Sequence, residues 1–183
     1  MCSSDLDEIE LWPGTIVALD LAGHGASEWR AGGAYSPELF AADADIVIEA
    51  LRASNDGAFW LAGAGIGGYV ALLVAGARPA SVAGALLLPG EGLDGGGAIP
   101  VSSRIDPFFA VLETMESRTS ERAGVDPMVH ACAGDVRPAE YARAFGEAAR
   151  RLLLAEDGSA RPPWWEAIAG LPASEQIGRA TSE

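Results

Sequence analysis

A glycine-rich turn between two apolar stretches constrains this chain more than any other feature. Residues 59–62 have the composition of a buried strand, glycine fills four of the six positions 63–68, and residues 69–77 are almost entirely apolar. Glycine lets a chain reverse sharply and lets a helix backbone lie close to a strand backbone. The pattern therefore predicts a buried strand, a very tight turn and a buried helix.

Strand and helix patterns alternate on both sides of this turn. Before it, Ser36, Pro37 and Glu38 supply the N-cap, first-turn proline and first-turn acid of a helix. Strands are also predicted at 15–21, 82–88, 128–134 and 152–155, and helices at 66–77, 106–117, 138–150 and 162–170. Such alternation is typical of an α/β fold with a mainly parallel sheet flanked by helices on both faces.

The length of 183 residues suits one domain with a sizeable core. We expect a frayed N-terminus at 1–12, a single domain at 13–172 and a polar tail at 173–183. The sequence contains no apolar run long enough to span a membrane and no N-terminal pattern of a secretory signal.

Charge and cysteine content exclude several classes of partner. The net charge is −14 and all 12 basic residues are arginines, so a nucleic acid or an anionic membrane is not an expected partner. Cys2 and Cys132 form neither a disulfide framework nor a metal-binding pattern. We therefore expect a cytoplasmic protein without metal, acting on a small molecule if it binds one.

The motif Asp-Leu-Ala-Gly-His-Gly-Ala-Ser at 20–27 resembles the α/β hydrolases, which often follow a strand with Asp-x-x-Gly-His-Gly-x-Ser. The similarity continues through residues 61–79, where that superfamily carries its nucleophile elbow, Gly-x-Ser-x-Gly. The resemblance implies a truncated α/β-hydrolase fold of the esterase and thioesterase type, from a branch with a degenerate elbow. Residues 98–126 would then form a reduced cap.

The same resemblance implies that most of the catalytic parts are missing. Gly65 occupies the position of the nucleophile, and the loop 156–161, expected to follow the last strand, contains no histidine. Asp135 is the candidate acid, and the Ile66 amide would keep one donor of the oxyanion hole. His24 is a candidate relocated base, although a structural role within its own glycine-rich loop is the alternative.

Two further hypotheses stay open. Gly63, Gly65 and Gly68 also satisfy Gly-x-Gly-x-x-Gly, the dinucleotide-binding pattern, which would imply NAD or FAD where the hydrolase hypothesis needs no cofactor. The other hypothesis is a non-catalytic protein that binds a small ligand through Gly65, Ile66 and His24. Asp135 and Arg137 would line that site at the carboxyl ends of the strands.

The resemblance also raises a structural question about the strand at 15–21. In the superfamily, an upstream strand lies between this strand and the strand of the elbow, and the present sequence supplies none. Either the two strands pair directly, or the sheet has a gap, or the chain is a fragment of a longer protein.

Overall fold

The structure is a computed structural model that describes five segments and three single residues of the chain. They are residues 14–29, 35–54, 56–89, 126, 129, 132, 137–156 and 161–178. The predicted N-terminus at 1–12 and the predicted helix at 106–117 lie outside the described residues. So do Asp135 and, apart from Asp126, the predicted cap at 98–126.

A parallel sheet flanked by helices forms the described part of the chain, which confirms the predicted fold class. The elements are α1 (Pro37–Arg52), β1 (Phe59–Ala64), α2 (Ile66–Ala77), β2 (Val82–Leu88), α3 (Ala139–Ala148), β3 (Leu152–Glu156), α4 (Pro163–Ala169) and β4 (Ser174–Gly178). The four strands lie in the order β1-β2-β3-β4, and every neighbouring pair is parallel. The described helices pack in a row, α1 against α2, α2 against α3 and α3 against α4.

Local signals place the helix boundaries. The Ser36 hydroxyl accepts a hydrogen bond from the Leu39 N–H at 3.3 Å, and Pro37 occupies the first turn of α1. Because proline has no N–H and a fixed φ, it suits this position. The helix ends at Arg52, a little before the turn residues that follow it in the sequence.

The core is centred on α2, whose residues from Gly68 to Gly76 are all buried. A Cβ atom at Gly76 would lie 2.4 Å from the Phe145 carbonyl oxygen, so glycine is what allows α3 to pack closely there. Beyond α3, Tyr69 contacts Trp164 of α4 edge-to-face, with 5.0 Å between ring centroids. The helix that follows the glycine turn is therefore held on every side by packing.

Three sequence predictions are corrected by the structure. Residues 15–21 pair with no described strand, although their apolar run is typical of one. At the predicted strand 128–134, Val129 and Cys132 are buried in 3₁₀ turns; a short apolar run fits buried turns as well as strands. The third correction is β4, which lies within the predicted polar tail. Its side chains are mostly exposed, so pairing with β3 rather than apolar periodicity makes it a strand.

Candidate functional site

The turn between β1 and α2 is as tight as its glycines suggest. Gly65 stands at its apex with φ +53° and ψ −121°, a conformation that side-chain-bearing residues rarely adopt. A Cβ atom at Gly63 would lie 2.3 Å from the carbonyl oxygen of Gly67, so β1 and α2 can approach this closely only with glycine at position 63. The strand β1 and the helix α2 are therefore separated by a single residue, Gly65.

The first turn of α2 is electrostatically suited to an anion. It has no side-chain cap and no acidic residue, and its first N–H groups belong to Ile66, Gly67 and Gly68. Such groups have no carbonyl partner within a helix and lie at the positive end of its dipole. A Cβ atom at Gly67 would meet no atom of the described residues within 4 Å, so open space adjoins the turn in that part of the chain.

The loop at 20–27 is held together by its own motif. The Asp20 carboxylate accepts a hydrogen bond from the Ala26 N–H at 2.9 Å, and the Ser27 hydroxyl donates to the Asp20 carbonyl at 2.6 Å. Gly25 has φ +52°, and a Cβ atom there would lie 2.4 Å from that carboxylate. The aspartate, the glycine and the serine of the motif are therefore explained by the architecture of the loop.

His24 lies half-buried within this loop. Its Nδ1 is 3.2 Å from the Ala22 carbonyl oxygen, and its ring meets Phe40 of α1 edge-to-face at 5.7 Å. Because a carbonyl oxygen can only accept, Nδ1 is the donor in this contact, and in the tautomer that carries its single proton on Nδ1 the Nε2 atom is an acceptor. Among the described residues, His24 forms no hydrogen bond or ring contact with the Gly65 turn.

The buried residue Asp126 is hydrogen-bonded to the loop at 20–27. Asp126 is only 2% exposed; its backbone N–H donates to the Gly23 carbonyl at 2.6 Å, and its side chain accepts from the Tyr35 hydroxyl at 2.8 Å. The Tyr35 ring lies so close to Gly23 that a Cβ atom there would be 2.8 Å from it. Sequence reasoning missed this residue, because a lone aspartate between a valine and a proline gives no local signal of burial.

Arg137 is bonded to α1. Its Nε and Nη2 atoms donate to the two carboxylate oxygens of Glu38, each at 2.9 Å. This pairing is the main reason why the pKa of Glu38 lies below its ordinary value. Burial, and next the nearby Glu38 charge, raise the pKa of Tyr141 on α3. Arg137 thus joins the segment before α3 to the first turn of α1, and a role in ligand binding stays a prediction.

The order of the strands places a second acidic side chain, Glu156, at the carboxyl edge of the sheet. Because β4 follows β3, the loop at 156–161 does not follow the last strand. Parallel strands end at the same edge of the sheet, so Glu156, the last residue of β3, lies at that edge. Its carboxylate pairs with Arg161 at 2.6 Å. A signal was present in the sequence, since Glu156 and Asp157 come directly after an apolar run; Asp157, like Asp135, lies outside the described residues.

A cavity of about 210 Å³ lies at some distance along α2 from the turn. It is bordered by the second half of α2 together with α1 and α3.

Within the described ranges, no three His, Cys, Asp or Glu side chains converge as metal ligands would. In the same part of the chain, no helix combines the length and the apolar character needed to cross a membrane.

Comparison with known proteins gives one family and several relatives. The family model described as serine aminopeptidase, S33 (Hydrolase_4), matches residues 13–126, more than half of the chain. Lipase LipV of Mycobacterium tuberculosis is 35% identical over 122 residues, which cover 62% of this chain and 44% of LipV. The chain therefore spans less than half the length of this curated relative.

Solved structures of similar fold include an esterase and a monoacylglycerol lipase. An esterase from Thermogutta terrifontis has a TM-score of 0.57 at 22% identity, over 87% of this chain and 69% of the esterase. A monoacylglycerol lipase from Paleococcus ferrophilus has a TM-score of 0.55 at 16% identity, over 86% and 70% of the two chains. At such identities the likeness concerns the fold alone.

Proposed function

The chain belongs to the serine aminopeptidase S33 family of α/β hydrolases, and we propose that it is a hydrolase-like protein without Ser–His chemistry. One observation carries the proposal: Gly65 stands at the apex of a turn that keeps the positive φ of an elbow. The turn presents a hydrogen atom where the superfamily presents an attacking hydroxyl.

The chemistry follows from what a nucleophile requires. A serine hydroxyl is activated by a base within hydrogen-bond reach, usually a histidine that is oriented by an acid. The sequence has two histidines, His24 and His130, and the described contacts hold His24 in its loop. In a serine protease, loss of the nucleophile alone lowers kcat on the order of 10⁶-fold. We therefore expect ester hydrolysis through a serine acyl-enzyme to be absent.

The remaining elbow supports binding of a small acyl compound. The relatives described above are named as lipases and an esterase, which favours a ligand of the ester or thioester class. The Ile66 N–H would donate a hydrogen bond to the carbonyl or carboxylate oxygen of the ligand, and the space beside Gly67 would admit the rest of the ligand. Asp135 and Arg137 are proposed to border this site.

The test compares wild type, Gly65→Ser and Gly67→Ser, which places a hydroxyl in the same turn at the open position. Each is incubated with a fluorophosphonate probe and with p-nitrophenyl acetate. We expect no labelling and no turnover above the buffer rate in any of them, because no described contact brings a histidine to the Gly65 turn to activate a new hydroxyl. Labelling of wild type, or turnover restored by Gly65→Ser but not by Gly67→Ser, would refute the proposal.

His24 offers a second route to chemistry, because its Nε2 is an acceptor in the tautomer whose Nδ1 proton is donated to the Ala22 carbonyl. In this alternative it would activate a water molecule against an ester bound at Ile66. The alternative predicts slow hydrolysis by wild type that His24→Gln abolishes and that the fluorophosphonate probe does not inhibit. The dinucleotide alternative has no comparable support, since the family match accounts for the same glycines.

A further inference from the structure

Asp126 is a buried carboxylate that the proposed function does not use. Its side chain is 2% exposed, and among the described residues no other charged side chain is buried to this degree. Withdrawing a carboxylate from water costs free energy, and a well-packed apolar residue in its place often stabilises a protein as well or better. A buried carboxylate that forms directed hydrogen bonds is therefore a candidate for holding one particular geometry.

The contacts of Asp126 converge on Gly23, the residue directly before His24. The Asp126 N–H donates to the Gly23 carbonyl at 2.6 Å, and the carboxylate accepts from the Tyr35 hydroxyl at 2.8 Å. Gly23 has φ +78°, and a Cβ atom there would lie 2.8 Å from the Tyr35 side chain and from a methyl group of Val129. Tyr35, Asp126 and Val129 thus enclose Gly23 and restrict the backbone that leads into His24.

A row of aromatic rings joins the same residues to the His24 side chain. Phe40, which is fully buried, stacks on the Tyr35 ring with 5.9 Å between centroids and 27° between the ring planes. The His24 ring meets Phe40 edge-to-face at 5.7 Å. Because buried rings are closely packed, the position of Tyr35, which is hydrogen-bonded to Asp126, limits where the His24 ring can lie.

We propose that Asp126 and Tyr35 are positioning residues for His24. Through the contacts just described, they keep the His24 Nδ1 beside the Ala22 carbonyl oxygen, at 3.2 Å. The proton then stays on Nδ1, and Nε2 is the acceptor. The other neutral tautomer carries its proton on Nε2 and offers no base at that atom. The inference rests on the His24 route, the second candidate function described above.

The tautomer decides whether His24 can take part in ester hydrolysis. As the oxygen of a water molecule bonds to the ester carbonyl carbon, Nε2 would take one proton of that water. The proton then passes to the alcohol oxygen as its bond to the carbonyl carbon breaks, which leaves a carboxylic acid, an alcohol and a neutral imidazole. In a serine protease, a histidine in the wrong tautomer lowers kcat about 10⁴-fold, so residues that set the tautomer control the rate.

Nitrogen-15 NMR of protein labelled at histidine measures the tautomer directly. The sequence has two histidines, and the variant His130→Gln assigns the signals of His24. At a pH where an imidazole is neutral, the ratio of Nδ1–H to Nε2–H should be higher in the folded protein than in the same sample unfolded in urea. We expect a difference of about threefold or more, as one hydrogen bond can supply. Equal ratios would overturn the proposal.

Two substitutions test whether Asp126 and Tyr35 set this ratio. Tyr35→Phe removes the hydroxyl that Asp126 binds and keeps the aromatic ring, and we expect it to lower the ratio for His24 about twofold or more. Asp126→Ala should lower it too, and the double variant no further than Asp126→Ala alone, because both act through one bond. Tyr141→Phe is the matched control, since the Tyr141 hydroxyl is bonded to Glu38 instead.

The control should leave the ratio unchanged, and an equal effect of Tyr141→Phe would contradict the proposal. So would an unchanged ratio in Tyr35→Phe when circular dichroism shows that this variant is folded. If Asp126→Ala does not fold, the comparison of Tyr35→Phe with its control decides alone.

Hydrolysis of p-nitrophenyl acetate separates this inference from the function on which it rests. If wild type hydrolyses the ester through His24, Tyr35→Phe should lower kcat in step with the Nδ1–H population and leave KM unchanged, because only that tautomer has an acceptor at Nε2. A kcat that does not follow this population would refute the positioning role. If wild type hydrolyses nothing, the His24 route is refuted, while the tautomer ratios still decide whether Asp126 and Tyr35 position His24.

Discussion

Replacing Gly63 by alanine should destabilise the protein far more than the same change four residues later, at Gly67. Gly63 lies near the end of β1 and Gly67 in the first turn of α2, on either side of Gly65, and neither has a positive φ. A Cβ atom at Gly63 would lie 2.3 Å from the Gly67 carbonyl oxygen, whereas a Cβ atom at Gly67 would meet no atom of the described residues within 4 Å. The two substitutions are chemically identical and differ in the space available.

The magnitude follows from which atoms would have to move. A contact of 2.3 Å is about 1 Å shorter than an ordinary carbon–oxygen contact, and the opposing atom belongs to the backbone of α2. No rotamer change relieves it, so β1 and α2 must separate, and overpacking of this kind costs about 1–3 kcal/mol or more. Alanine at Gly67 should instead stabilise by up to about 1 kcal/mol, because glycine is a poor helix former.

Urea denaturation followed by circular dichroism measures both changes. We expect Gly63→Ala to lower the free energy of unfolding by about 3 kcal/mol, which for a chain of this size corresponds to a fall in Tm of roughly 6–12 °C. Gly67→Ala should leave it equal or slightly higher. If the two variants have the same stability, β1 and α2 do not approach as closely as the structure indicates, and the assignment of the turn as an elbow loses its physical basis.

Three other predictions concern the ion pair, the core and the cofactor alternative. The pKa of Glu38 is lowered mainly by its hydrogen bonds to Arg137. The stability that this carboxylate contributes is therefore fully present above its ordinary pKa of 4.5 and is lost as the pH falls through the lowered pKa. Glu38→Gln should make the free energy of unfolding, measured by urea denaturation, depend less on pH in the acid range, and an unchanged dependence would contradict the pairing. Trp164→Ala should cost about 3–5 kcal/mol by the same assay, because the side chain is 2% exposed; a loss below 1 kcal/mol would show that it is not a core residue. Millimolar NAD, NADP or FAD should leave the Tm unchanged, and a saturable increase would revive dinucleotide binding.

Elements with strong local signals could be predicted from the sequence. The helix at 66–77 and the strand at 82–88 have the predicted bounds, because the glycine turn and the Arg-Pro that ends the helix fix both by short-range chemistry. The helix predicted at 162–170 is α4, Pro163–Ala169, with Pro162 and Gly170 as its caps. In each case backbone restrictions act within a few residues.

Strand pairing was the part that could not be predicted, because it depends on a distant partner. Residues 15–21 have the better strand composition and pair with no described strand, whereas Ser174–Gly178 has a polar composition and pairs with β3. Register and edge position are properties of the sheet and not of the segment. The prediction of the site residues was affected as well. Because β4 was not predicted, the loop at 156–161 was placed after the last strand, and Glu156 at the end of β3 was not considered as a site residue.

The conformation of Gly65 gives a final prediction about the turn. Its φ of +53° is positive, but its ψ of −121° lies far from the left-handed helical region near +47°. Asparagine tolerates that region and should gain nothing here, so Gly65→Asn and Gly65→Ala are both expected to destabilise by about 1–2 kcal/mol. Gly67→Asn, at negative φ, is the control for asparagine in this turn. If Gly65→Asn is as stable as wild type while Gly65→Ala is not, the apex is an ordinary left-handed turn. If both are tolerated, the turn holds no strain, and glycine at this position cannot be read as the relief of a strained nucleophile.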